Sequence, residues 1–109
     1  MSVRPAMKPL VIPPAAQRDD KAIQMLSAWI AEQGQHCSIK VGLWQDNGRD
    51  EAPAWGIFLS DTIRHIANAL QEQYGQPASD TIAAIMESLH DELSDPTSDV
   101  KGTFSHGHG

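Results

Sequence analysis

The sequence contains a single cysteine, Cys37. One thiol excludes an internal disulfide framework and suits a reducing compartment better than a secreted scaffold. No apolar run approaches the ~20 residues that a membrane-spanning helix needs. The early run Leu10-Val11-Ile12 is closed by Pro13 and Pro14, well short of the about 7–15 apolar residues of a secretory leader. The expected compartment is therefore the cytoplasm, with no membrane partner. Basic residues are also scarce: eight Lys and Arg against fourteen Asp and Glu give a formal net charge of −6. That balance opposes binding to nucleic acid or anionic lipid, which depends on Lys and Arg. The sequence has no Gly-rich phosphate loop, no Cys-x-x-Cys and no His-Glu-x-x-His. Without those patterns it gives no sign of a cofactor or of a closed metal centre.

What is present fits one small domain. At 109 residues with 40% apolar and 20% charged side chains, the chain has enough material for one hydrophobic core. Charge is unevenly placed. Residues 1–18 carry Arg4, Lys8 and Arg18 and no acid, whereas residues 80–101 carry six acids against Lys101. Four of the seven prolines also fall in residues 1–18, which read as an extended arm. The domain itself is expected at 19–95, and residues 96–109, which lack apolar periodicity, as a flexible C-terminal tail.

Within the arm, Leu10-Val11-Ile12 is a candidate edge strand, since the flanking prolines bar it from the middle of a sheet. A first helix is expected from Asp19 or Asp20, both good N-caps. Its stripe is Ala22, Ile23, Leu26, Trp29 and Ile30, and Gly34 is its stop. From Gln35 to Leu43 the period becomes two, with Cys37, Ile39, Val41 and Leu43 on one face, as in a half-buried strand. A polar loop with an Asn47-Gly48 turn follows. A second helix is expected over about 54–74, opened by Pro53 and ended by Gly75, and a third over about 79–94, ended by Asp95-Pro96. Only one strand is convincing, and a lone strand needs pairing. The fold class is thus α+β, three helices on a small antiparallel sheet, with dimerisation one route to completing the sheet.

Several segments together resemble a family of small alphaproteobacterial proteins catalogued only as a domain of unknown function. They are Ile12-Pro13-Pro14-Ala15-Ala16, Trp29-Ile30, His36-Cys37-Ser38 and above all Ala54-Trp55-Gly56-Ile57, which leads into Asp61-Thr62-Ile63-Arg64-His65. The resemblance spans about residues 9–95. It implies a bacterial, stand-alone domain and carries no catalytic residue, cofactor or partner with it.

Two groups of residues are candidates for function. Asp61, Arg64 and His65 are three and four residues apart, within mutual reach on a helix. A carboxylate beside an imidazole is an acid–base arrangement, and it is also the ordinary polar face of an amphipathic helix. Trp44 follows the inward residue Leu43 and by alternation points outward, where an exposed indole marks a pocket or an interface. Trp29 and Trp55 read as core, and Cys37 as a buried structural thiol. His106 and His108 supply two imidazoles on the tail, and His36, His65 and Asp61 form a metal site only if strand and helix meet. The leading expectation is a non-enzymatic, self-associating interaction module, a homodimer open to a further protein partner. The alternative is a small-molecule binder or enzyme using Asp61, Arg64 and His65.

Overall fold

A computed structural model describes residues 9–106. Arg4, Lys8 and His108, named above, lie outside them. In chain order the elements are a short helix α1 (Pro14–Arg18), strands β1 (Leu26–Ala31) and β2 (Gly34–Val41), a 3-10 turn (Gln45–Asn47), helices α2 (Glu51–Tyr74) and α3 (Ala78–Ser94), and strand β3 (Lys101–His106). This is an α+β fold of three helices and a three-stranded sheet. The sheet is mixed rather than wholly antiparallel: β2 lies in the middle, antiparallel to β1 and parallel to β3. The α2–α3 pair forms the long crossover that a parallel neighbour requires.

The two long helices lie where periodicity places them. Pro53 sits in the first turn of α2, where a missing N–H costs nothing. Gly75 closes α2 in the left-handed conformation (φ 74°), donating its N–H to the Gln71 carbonyl. The two helices pack on each other around Ala67 and Thr81, both buried, and Ile63, Leu70, Ile82 and Ile85, all half-buried.

Three sequence expectations are corrected. Residues 19–33 hold no helix; Leu26–Ala31 is a strand, joined to β2 by a two-residue turn in which Glu32 and Gln33 have φ of 50° and 66°. Positive φ at both central residues matches the twist of a tight hairpin, and Gly34 opens β2 instead of ending a helix. Leu10-Val11-Ile12 pairs with no strand among the described residues and is exposed, the prolines after it opening α1. The segment from residue 96 onward contributes β3. It docks on β2 through Gly102 (φ 131°), which has no Cβ to strike the Cys37 backbone opposite it.

The register sorts the sheet into two faces. Leu26, Ala28 and Ile30 of β1, Gln35, Cys37, Ile39 and Val41 of β2, and Phe104 and His106 of β3 share one face; Ser27, Trp29, His36, Ser38, Lys40 and Thr103 lie on the other.

Candidate functional site

The loop between β2 and α2 is held by one carboxylate. Glu51, the first residue of α2, turns back and accepts the backbone N–H groups of Gly42 (3.2 Å), Trp44 (3.1 Å) and Gln45 (3.0 Å) and the indole N–H of Trp55 (2.9 Å). Loss of solvent at the carboxyl pushes its pKa up. The donated hydrogen bonds outweigh this and hold it below its ordinary value of 4.5. The pinned loop brings Trp44 edge-on to Trp55 at 5.5 Å and to Phe58 at 6.4 Å, with Trp55 and Phe58 themselves 5.2 Å apart. Edge-to-face packing of this kind is favourable beyond the area it covers. Trp44 therefore does not stand outward as alternation predicts: the chain leaves strand geometry at Gly42 (φ 97°), and the ring folds onto α2 half-buried. The exposed indole is instead Trp29, at 39%, on β1. Glu51 is the residue that sequence reasoning missed. The available signal was an acid opening a helix just after an Asn-Gly loop, where the positive helix end favours it.

Asp61 and Arg64 do pair, on the solvent side of α2, with side chains 61% and 66% exposed. Such an exposed pair is worth about 0–1 kcal/mol. His65 is exposed and takes no part in that pair. Among the described residues no three His, Cys, Asp or Glu side chains cluster to hold a metal, so the grouping of His36, His65 and Asp61 does not form. His106 instead lies at the end of β3, its Nε2 3.3 Å from Asp46. A shallow opening at the other end of the sheet is lined by Trp29, His36, Cys37, Ser38 and Gly102. Nε2 of His36 is enclosed there without a hydrogen-bond partner among the described residues. Cys37 is half-buried, its sulfur accepting a hydrogen bond from the Gln35 amide at 3.2 Å.

Much of the surface is apolar. Among the described residues only Met25 and Ala67 are buried hydrophobics, and no large side chain is fully enclosed. On the apolar sheet face Ile30 is 82% and Phe104 67% exposed, and along the helices Leu93 reaches 75%. The chain exposes 9298 Å², against about 5,900 Å² for a compact monomer of this mass. Full exposure of the residues outside the described region would account for about half of that excess. Large uncovered apolar surfaces of this kind mark interaction sites.

Comparison with known proteins agrees with the fold and adds no chemistry. The family model described as "Domain of unknown function (DUF5076)" matches residues 9–97. No curated protein matches the sequence. Four chains of solved structures do. One of them is a protein of Rhodopseudomonas palustrus CGA009 described as "a putative pyruvate dehydrogenase", 23% identical, with a TM-score of 0.65 over 86% of this chain and 91% of that one. At that identity the likeness shows the fold alone. No helix among the described residues is long and apolar enough to cross a membrane.

Proposed function

The chain belongs to the DUF5076 family, and from that premise we propose that it is a non-enzymatic interaction module that self-associates as a homodimer, with the bacterial cytoplasm as its compartment. One observation carries this reading: the fold has two apolar surfaces, on sheet and helices, and among the described residues a single copy buries only Met25 and Ala67 of the hydrophobic side chains. Burial of apolar area is the main favourable term in folding. A chain of this length ordinarily removes roughly two-thirds of its unfolded surface from water, and this one removes nearer half. A protein so poorly filled gains its remaining burial from a partner, and a second copy is always present at matching concentration. The acidic net charge and the single cysteine are in keeping with a soluble role in a reducing compartment.

The test is the molar mass in solution, by light scattering on full-length protein. The expected value is twice the 11.9 kDa of one chain. A value of one chain at tens of micromolar, with cooperative unfolding intact, would overturn the reading.

A further inference from the structure

We propose that the dimer forms by exchange of layers: the apolar sheet face of each copy is covered by the α2–α3 pair of the other. This rests on the self-association argued above and specifies which surfaces meet.

A sheet with one apolar face is stable only when a second layer covers that face, and in α+β folds the layer is helical. Both layers exist in this chain. Leu26, Ala28, Ile30, Ile39, Val41 and Phe104 make the sheet face. Leu59, Ile66, Met86, Leu89 and Leu93, between 37% and 75% exposed, extend the helical stripe past the buried Ala67 and Thr81. The chain's own helices leave the edges of that face open: Ile30 and Phe104 on its two edge strands remain largely in water, while Leu26, Ile39 and Val41 are half-buried. The Glu51 pin and the Trp44–Trp55–Phe58 cluster hold the start of α2 against the end of β2.

Three arrangements of two copies cover apolar surface. Sheet face on sheet face leaves both helical stripes bare, and helix pair on helix pair leaves both sheets bare. Sheet on helices, applied twice by one two-fold axis, covers all four surfaces, and each copy presents the same patch to the other, as a closed symmetric dimer requires. The area is of the right order: with the residues outside the described region set aside, about 1,700 Å² per copy stands above a compact monomer, or about 3,400 Å² over two copies, against the roughly 2,000–5,000 Å² in total that obligate dimers bury.

Cys37 makes the test direct, since it is the sole thiol and lies on the sheet face in register with Ala28 and Gly102. One population keeps Cys37; a second, isotopically labelled, carries Cys37→Ser with Leu89→Cys. The two are co-refolded, their molar mass is measured, and they are joined with a short thiol cross-linker. Met86→Cys replaces Leu89→Cys where the latter weakens the fold. The expected product is a covalent pair of one light and one heavy chain, linked from position 37 to position 89 or 86. A dimer that yields only light–light links between two Cys37 side chains, or no link at all, overturns the layer exchange and leaves self-association standing. A monomeric mass overturns both.

Discussion

At the scale of single residues, two side chains have consequences out of proportion to their size. Glu51 satisfies four N–H donors with one carboxylate. Because its pKa in the fold is held below 4.5, its contribution is fully present above that value. It is lost as the pH falls through the lower, folded value. Glu92 adds in the same direction, since the N–H and hydroxyl of Thr97 hold it below 4.5 too. Thermal unfolding followed between neutral pH and about pH 3 is therefore expected to show a fall in Tm that begins below 4.5. In Glu51→Gln that fall is shallower and starts from a lower Tm, because the amide keeps the shape but not the charge. An unchanged acid limb in the variant would show that Glu51 does not hold the loop. Gly75 offers a calibration of different kind. It has open space around the missing Cβ but φ of 74°, so Gly75→Ala is strained by conformation alone. It should cost about 1 kcal/mol in denaturant unfolding, with the dimer untouched.

At the scale of elements, Gly102 decides whether β3 exists. A Cβ at this position would overlap the Cys37 backbone, and φ of 131° is one that L side chains rarely adopt. Gly102→Ala is thus expected to detach β3 from β2. Hydrogen exchange at residues 101–106 would then speed up by at least about tenfold, the equivalent of losing roughly 1.4 kcal/mol of local protection, while α2 and α3 keep theirs. Unchanged exchange there would place β3 elsewhere. The same strand shows what local pattern conveys and what it does not. Both long helices could be read from the sequence to within three residues at their starts and to the residue at their ends, because their stripes run through several turns and end at Gly75 and Asp95. β1 could not. Leu26 and Ile30 are four apart, a spacing that suits one face of a helix and one face of a strand alike. The turn at Glu32–Gln33 carries no glycine to announce itself. β3 has one large apolar residue, Phe104, and acquires its identity only by pairing across the crossover, which no local pattern records. The candidate site divides likewise. The spacing of Asp61 and Arg64 foretold their pairing, whereas the inward turn of Trp44 and the reach of Glu51 depend on a loop closing over nine residues.

At the scale of the whole molecule, the proposed dimer would make stability a function of concentration. When folding and association are coupled, anything that favours the dimer stabilises the fold by mass action. Tm is therefore expected to rise with protein concentration, and a flat response across a hundredfold range would mean that the isolated chain is stable by itself. Point charges locate the surface responsible. Ile30, 82% exposed in one copy, sits on the sheet face, and burying such a side chain is worth about 1.5–3 kcal/mol. Ile30→Asp forfeits that and adds the cost of desolvating a carboxylate, so the dimer dissociation constant should rise at least about tenfold. Leu93→Asp on α3 should act the same way. Their double variant should weaken the dimer by at least the sum of the two singles, because the proposed layer exchange puts both positions into its interface. Ile57→Asp is the control. Ile57 is 68% exposed but lies off the Ile63–Ala67–Leu70 line of α2, so an added charge there should leave the molar mass of the dimer unchanged. If Ile57→Asp dissociates the dimer and Ile30→Asp does not, the surface that joins two copies is the back of α2 and not the open face of the sheet.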